Sequence, residues 1–263
     1  MNTLSILFIG DIFGRPGRTL VADHLGDLIE RHQLGLVIAN GENAAAGFGI
    51  TPRLTAELLA LGIDVLTSGN HIWDRREIME HFPQEPRLLR PANFVSGPGR
   101  GLYQGVTRSG VKFAVLNLQG RVFMGQSDCP FRTADRELET LPDSCRIRIV
   151  DMHAEATSEK IAMGWHLDGR TTAVVGTHTH VPTADERVLP QGTAYITDIG
   201  MTGPYDSIIG IKKETILEKF LTQMPSRFEP AEDDARLCAV LIQADTDTGR
   251  AVSIERLMLH SDK

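Results

Sequence analysis

One stretch of the chain decides the fold: residues 4–39, LSILFIGDIFGRPGRTLVADHLGDLIERHQLGLVIA. Residues 4–9 form a short apolar run that is typical of a buried strand. In residues 18–32 the apolar side chains recur at the i, i+4, i+7 and i+8 positions of an amphipathic helix, at Val21, Leu25, Leu28 and Ile29. Residues 36–39 form a second apolar run. A strand, a helix and a strand in this order predict a βαβ unit, and therefore an α/β fold.

The same alternation continues beyond this stretch. Thr51 and Pro52 predict the N-cap and the first residue of a helix that ends near residue 61. We predict further strands at residues 64–67, 101–107, 111–117, 147–151, 171–175 and 194–197, a helix at 157–165, and a C-terminal hairpin of residues 237–244 and 251–257. The sequence has no internal repeat, low-complexity tract or linker. We therefore expect one domain over residues 1–263, built on mixed sheets.

Composition and charge exclude several classes of protein. The 263 residues are 41% apolar and 23% charged, which is ordinary for a folded globular protein and excludes a disordered or collagen-like chain. With 27 basic and 34 acidic residues the net charge is 27 − 34 = −7, which disfavours binding to long duplex nucleic acid. Cys129, Cys145 and Cys238 have no CxxC spacing, which argues against a disulfide framework and a cysteine zinc site.

The sequence also lacks the features of an exported or membrane protein. Its first residues have no basic n-region, and no stretch approaches the roughly 18 apolar residues of a membrane span. We therefore expect a soluble, reduced, cytoplasmic protein that does not bind membranes.

Polar residues capable of binding metal follow five of the predicted strands. In open α/β sheets, ligand sites lie outside the carboxyl ends of the strands, so these loops can converge on one point. Each feature alone has a simpler explanation as a turn residue, a helix cap or a packed histidine. The recurrence of the pattern favours a site. The segments are Gly10-Asp11, residues 40–43 (NGEN), residues 69–71 (GNH), residues 151–153 (DMH) and residues 176–180 (GTHTH).

The residue types in these segments match a pair of divalent metal ions. His178 and His180 are separated by one residue, which places both on the same side of an extended segment. Oxygen and nitrogen ligands without cysteine suit Mn, Fe or Zn. A bridging carboxylate would allow two ions to lie about 3.5–4 Å apart, the spacing of sites that clamp a phosphoryl group. The candidate ligands are Asp11, Glu42, Asn43, Asn70, His153, His178 and His180.

Together these motifs resemble the calcineurin-like metallophosphoesterases. Residues 10–18 (GDIFGRPGR), 40–45 (NGENAA) and 198–204 (DIGMTGP) are similar to a bacterial subfamily associated with phosphodiesterase activity on 2′,3′-cyclic nucleotides. The first motif of the wider superfamily is Asp-x-His, but this chain has Phe13; the second is Gly-Asp, but this chain has Glu42. The same two changes mark the bacterial subfamily. The resemblance implies a four-layer αββα sandwich with two mixed sheets flanked by helices.

The resemblance also implies a role for each candidate residue. One metal ion, Fe or Mn and alternatively Zn, would be held by Asp11, Glu42, Asn43 and His180. A second would be held by Glu42, Asn70, His153 and His178, with Glu42 bridging. His71 would stay free of metal and act as the general acid, protonating the leaving ribose oxygen after attack by metal-activated hydroxide. Consecutive side chains diverge, so Asn70 can face metal while His71 faces the leaving group. Asp74 could orient His71 or equally cap the following helix.

The leading hypothesis is therefore a dinuclear metal-dependent phosphodiesterase for small cyclic nucleotides of the 2′,3′-cyclic AMP type. The alternatives are a phosphatase for phosphomonoesters and a non-catalytic regulatory protein that binds through its metal site; a homo-oligomer is compatible with each. Phe13 and Phe123 are candidates for stacking on a base, although core packing is the commoner role, and residues 47–49 (GFG) are a weak candidate for a lid. The charges of two carboxylates and two divalent ions sum to −2 + 4 = +2. The site itself would therefore be positive, so an acidic chain can still attract a phosphodiester.

Overall fold

The computed structural model describes residues 2–261, in which two β-sheets pack face to face and helices lie on both outer faces. The described helices are α1 (Gly14–His32), α2 (Pro52–Ala60), α3 (Ile78–His81), α4 (Pro130–Glu139), α5 (Thr157–Leu167) and α6 (Lys213–Thr222). The described strands are β1 (Thr3–Ile9), β2 (Asp11–Ile12), β3 (Leu34–Asn40), β4 (Val65–Thr67), β5 (Leu102–Val106), β6 (Lys112–Gln119), β7 (Ile147–His153), β8 (Ala173–Thr177), β9 (Arg187–Val188), β10 (Ala194–Ile196), β11 (Met201–Pro204), β12 (Ala235–Asp245) and β13 (Ala251–His260).

The first sheet has the order β2-β11-β12-β1-β3-β4, with β13 paired to β12. β1, β3 and β4 are parallel, and β12 runs antiparallel to β1. The register places Ile9 beside Ala39, and Asn40 beside Thr67. The carboxyl ends of three strands, and the polar segments that follow them, therefore lie side by side.

The second sheet has the order β5-β6-β7-β8-β10-β9. Its four central strands are parallel, and antiparallel strands close both edges. The register aligns Gln119, His153 and Thr177 across β6, β7 and β8. The two sheets are therefore both mixed, as predicted.

The core divides into layers because successive side chains of a strand point to opposite faces. In β1, Ile6 and Phe8 pack against the second sheet, whereas Leu7 and Ile9 pack against α1 and α2. The outer face of the second sheet is covered by α4 and α5. The four-layer αββα arrangement expected from the resemblance is thus confirmed.

Several boundaries differ from the predicted ones. α1 begins at Gly14 rather than at residue 18, and Gly14 adopts a left-handed φ of 58° at this first position. β7 ends two residues later than predicted, and β8 spans Ala173–Thr177 rather than residues 171–175, so His153 and Thr177 are strand residues. α4 and α6 were not predicted. In α6 only Ile216 is buried, so the helix has little core-facing pattern to detect.

The three cysteines, Cys129, Cys145 and Cys238, are all free thiols. Within residues 2–261, no helix has both the length and the apolar character needed to cross a bilayer.

Candidate metal centre

The seven candidate ligands lie at one edge of the molecule, where the carboxyl ends of strands from both sheets meet. The first sheet supplies ligands directly after β1, β3 and β4, and the second supplies them at the end of β7 and directly after β8. Most of these side chains are buried, whereas those of Asn70 and His178 are partly exposed. The ligands by origin are Asp11 from β2; Glu42, Asn43 and Asn70 from the first sheet's loops; His153 from β7; and His178 and His180 from the loop after β8.

His153 lies at the centre of one group of ligands. Its Nε2 is 3.0 Å from Glu42 Oε1, 3.0 Å from Asn70 Oδ1 and 3.1 Å from His178 Nδ1. One ligand atom from each of Glu42, His153 and His178 lies within 4.8 Å of the others. Four potential ligands therefore converge on one small volume.

A second group lies on the other side of Glu42. Asn43 Nδ2 is 3.4 Å from Glu42 Oε1 and 3.1 Å from His180 Nε2, and His180 Nε2 is 3.9 Å from Asp11 Oδ1. Half a turn of the Asn43 amide would present its oxygen to the same space. The other oxygen of Asp11 accepts the backbone N–H of His178 at 3.2 Å. Glu42 is thus shared between the two groups.

The outward-facing nitrogen of each histidine lies beside an oxygen of the protein. His180 Nδ1 donates to the Ile209 carbonyl at 2.9 Å, and His178 Nε2 lies 3.1 Å from a carboxylate oxygen of Glu155. His153 Nδ1 donates to the Thr177 hydroxyl at 2.9 Å, because that hydroxyl donates its own proton to Asp151 at 2.7 Å. The inward-facing nitrogens are therefore the ones that a metal ion would use, which is the usual arrangement of metal-binding histidines whose outer nitrogens contact the protein.

Unpaired acceptors test whether these residues fit a cation. Asp11 Oδ1 and Asn43 Oδ1 are buried and have no hydrogen-bond partner among residues 2–261. The inward lone pair of His153 faces both a carboxylate and an amide oxygen at 3.0 Å, an arrangement that is repulsive unless a proton or a metal ion lies between them. Oxygen and imidazole ligands with no thiolate match Mn, Fe or Zn. The donor set fits a metal centre.

The protonation states of the centre without a metal ion show a proton where a cation would lie. Burial alone would lower the pKa of His153, but the charge and hydrogen bond of Glu42 outweigh burial and raise it to about 9, so His153 is protonated near pH 7. Burial lowers the pKa of His178 to about 3, and the nearby His153 charge adds to that effect, so His178 is neutral near pH 7. Burial alone would raise the pKa of Glu42, but the charge and hydrogen bond of His153 outweigh burial and lower it to about 2. Burial raises the pKa of Asp11, because its charge is costly without a compensating cation. A bound metal ion would supply that compensation.

His71 lies beside the two ligand groups. Its backbone N–H donates to Glu42 Oε2 at 3.0 Å, and its Nδ1 lies 2.8 Å from Asp74 Oδ2. Asp74 therefore contacts His71, which was one of the two roles open to it. The His71 side chain is 31% exposed, so it remains accessible from the cavity that it lines.

Backbone conformation and a buried ion pair position the loop after β8. His178 and His180 have φ values of 100° and 66°, a left-handed conformation that costs roughly 1–3 kcal/mol for a non-glycine residue. The prediction that these residues lie on an extended segment was therefore wrong, although both reach the centre. Lys160 Nζ donates to Asp198 at 2.7 Å, and the same carboxylate accepts the N–H and hydroxyl of Thr179. The buried Lys160–Asp198 pair therefore holds the loop in place through Thr179.

A cavity of about 480 Å³ opens over the ligands. Its polar side contains His71 and several of the candidate ligands, and its other side is formed by apolar residues of the chain between residues 208 and 228. Sequence reasoning did not identify this apolar side. Of the two proposed stacking residues, Phe13 is buried in the core beside the cavity, whereas Phe123 is 88% exposed and does not line it.

The sequence did not identify the residues that orient the histidines. Glu155 and Thr177 have ordinary local contexts, and the Ile209 carbonyl belongs to a turn with no detectable motif. The one available signal is Asp151, which precedes His153 by two residues in the polar segment and so lies on the same face of β7. It accepts hydrogen bonds from Thr67 and Thr177.

Comparisons with known proteins agree with one another. Residues 7–257 match the model of the YmdB-like protein family. The chain is 48% identical over 260 residues to a 2′,3′-cyclic-nucleotide 2′-phosphodiesterase of Bacillus subtilis, covering 98% of both chains. A crystal structure of a hypothetical protein from Thermus thermophilus has a TM-score of 0.92 at 42% identity, covering 98% of this chain and all of that one. A crystal structure of a novel phosphatase from Mycoplasma pneumoniae has a TM-score of 0.94 at 32% identity, covering all of this chain and 95% of that one.

Proposed function

This chain belongs to the YmdB-like protein family, and from that premise we propose that it is a metal-dependent phosphodiesterase for small cyclic nucleotides of the 2′,3′-cyclic AMP type. The activity named for the Bacillus subtilis relative supports the substrate class. The observation that carries the proposal is the orientation of three imidazoles, each with its outer nitrogen beside an oxygen of the protein and its inner nitrogen facing shared acidic and amide ligands.

Two metal ions would be held by the two ligand groups that share Glu42. Asp11, Asn43 and His180 complete one group; Asn70, His153 and His178 complete the other. When bound, the ions would lower the pKa of water and offset the charge of the phosphoryl group. The outer residues keep the imidazoles in the tautomer that binds metal, and the Lys160–Asp198 pair supports the loop that carries two of them.

His71 would deliver a proton to the leaving ribose oxygen. Asp74 accepts the His71 Nδ1 proton, so the tautomer and the ring orientation are fixed, and the remaining ring nitrogen is the one available for catalysis. The ring also contacts Phe48, with centroids 5.2 Å apart, which limits its movement on the cavity side. Asp74 is thus a positioning residue for the proposed acid.

Metal analysis and a substrate panel test this proposal. We expect the purified protein to contain Fe, Mn or Zn and to hydrolyse 2′,3′-cyclic AMP and bis(4-nitrophenyl) phosphate faster than 4-nitrophenyl phosphate. The His71→Ala variant should lose about 10²- to 10⁴-fold in kcat, the usual contribution of a general acid, while it retains its metal. Asp74→Asn should lose about tenfold. His24→Ala, on α1 and away from the centre, is the matched control.

The outcomes separate the competing functions. Hydrolysis of the monoester but not of the diester would favour a phosphatase, as the Mycoplasma pneumoniae protein is described. Metal binding without hydrolysis of any substrate would favour a regulatory binding protein. Full activity of His71→Ala would refute the proposed role of that residue.

A further inference from the structure

The cavity over the metal centre has two chemically different halves. One half consists of charged and polar side chains, including Glu42, His71 and Glu155. The other half contains aromatic and aliphatic side chains: Phe13, Phe48, Ile208, Ile211, Phe220 and Phe228. His71 contacts Phe48, so the two halves adjoin at the proposed acid. A molecule that filled the cavity would place its phosphate in one half and an apolar group in the other.

The apolar half offers few polar side chains that could form hydrogen bonds with a ligand. Among the described residues that line it, Lys219 carries the only charged side chain, and its ammonium lies 4.3 Å from the centroid of the Phe228 ring. The Phe48 ring is stacked with the Phe228 ring, with centroids 6.4 Å apart and an interplanar angle of 21°. Binding here would depend on ring stacking and apolar contact, which depend on area rather than on edge pattern.

Phe220 is the aromatic residue of this half that has the least protein around it. Phe220 belongs to α6 and lines the cavity, yet it is 73% exposed. The following residue, Leu221, is 85% exposed but does not line the cavity. The core does not require the Phe220 ring, so this ring is available to a ligand.

We infer that the apolar half is a nucleobase subsite in which Phe220 stacks on the base, so that the enzyme favours nucleotides over base-free phosphodiesters and purines over pyrimidines. The inference rests on the proposed function. In a 2′,3′-cyclic nucleotide one ribose joins the cyclic phosphate to the base, so the two groups lie on adjoining parts of a small molecule. The 480 Å³ volume falls within the roughly 300–1,000 Å³ typical of small-molecule sites.

The test compares substrates that share the reacting ring. We would measure kcat/KM for 2′,3′-cyclic AMP, 2′,3′-cyclic CMP and glycerol 1,2-cyclic phosphate, which has the same five-membered diester without a base. For wild type we expect kcat/KM to be highest for 2′,3′-cyclic AMP, lower for 2′,3′-cyclic CMP and lowest for glycerol 1,2-cyclic phosphate. In Phe220→Ala, the ratio of the AMP to the glycerol value should fall about tenfold, within the range for the loss of one base–aromatic stack. Phe220→Trp should keep the ratio, and Leu221→Ala is the matched control.

A binding measurement separates the failure of this inference from the failure of the proposed function. Adenosine has no phosphate, so its binding to the metal-loaded protein, followed by ligand-observed NMR, does not depend on hydrolysis. We expect Phe220→Ala to weaken adenosine binding and Leu221→Ala to leave it unchanged. If wild type hydrolyses none of the three diesters, the proposed function is wrong. If Phe220→Ala changes neither the substrate ratio nor adenosine binding, or if Leu221→Ala changes them equally, the nucleobase subsite is wrong.

Discussion

Replacing Lys160 by methionine should destabilise the protein and loosen the loop after β8. Lys160 and Asp198 side chains are each 1% exposed, and the ammonium also donates to the Thr177 carbonyl at 3.1 Å. Methionine preserves the apolar part of the lysine side chain but leaves the carboxylate buried without a cation. Removal of one partner from such a pair costs about 3–5 kcal/mol. Asp198 keeps its hydrogen bonds from Thr179 and Gly200, so we expect a value near the lower end.

Urea denaturation measures this cost. For an m-value of about 3 kcal/mol/M, a loss of about 3 kcal/mol in the free energy of unfolding moves the midpoint by about 1 M. The double variant Lys160→Met/Asp198→Asn should recover much of the loss, because a neutral pair has no uncompensated charge. Metal affinity should fall in the single variant, since Thr179 lies between two candidate ligands. The reasoning is refuted if Lys160→Met lies within 1 kcal/mol (about a fivefold change in the folding equilibrium) of wild type, or if the double variant is no more stable than the single one.

Three further predictions concern the centre and its surroundings. Gly69→Ala should displace His153 and reduce the metal content, because a Cβ at Gly69 would lie 2.0 Å from the His153 ring. Circular dichroism should show that the fold persists. Gly26→Ala is the control, since nothing lies within 4 Å of its Cβ, and it should bind metal normally. Asp185→Asn should lower the free energy of unfolding by about 1 kcal/mol at pH 7, and this cost should disappear in acid, once the pH is below the folded-state pKa of Asp185. Burial alone would raise the pKa of Asp185, but hydrogen bonds from two threonine hydroxyls lower it below 3.8. The stabilisation by Asp185 is therefore present above that pH and is lost as the pH falls through the folded-state pKa. An equal cost in urea titrations at pH 7 and in acid would contradict this. Chelation of the metal should lower Tm by about 5–10 °C in calorimetry, since a ligand at 100 times its Kd contributes about 2.7 kcal/mol, and re-addition of Mn²⁺ should reverse the change.

Local sequence was sufficient to predict an α/β fold with mixed sheets and the polar segments that form the candidate centre, whereas the four-layer arrangement was implied by the family resemblance. The apolar run before Gly10 and the helix around Val21 each depend on a short periodic pattern, and parallel strands necessarily align their carboxyl ends. The segments that follow those strands therefore converge, whatever the details of the loops. This accounts for Glu42 and Asn70, which follow neighbouring parallel strands of the first sheet, whereas the contact of His178 with Asp11 also depends on the packing of the second sheet on the first.

The features that were missed depend on tertiary structure alone. Lys160 and Asp198 each resemble surface residues in sequence, and only the packed fold brings them together in the core. The apolar half of the cavity is formed by Phe48 and a segment more than 150 residues later, so no local window contains both. The extended geometry expected for His178 failed for a related reason, because the buried network beneath the loop imposes a left-handed turn that local propensity disfavours.

The distribution of the ligands between two sheets has a consequence for how the protein acquires its metal. No single βαβ unit contains a full set of ligands: the first 70 residues provide the carboxylates and amides, and the imidazoles come after residue 150. A chain emerging from the ribosome therefore cannot form the centre until its second sheet has been made and docked onto the first. Under the proposed function, metal would therefore be captured only after both sheets are in place, and the bound ion would link sheets that are synthesised at different times.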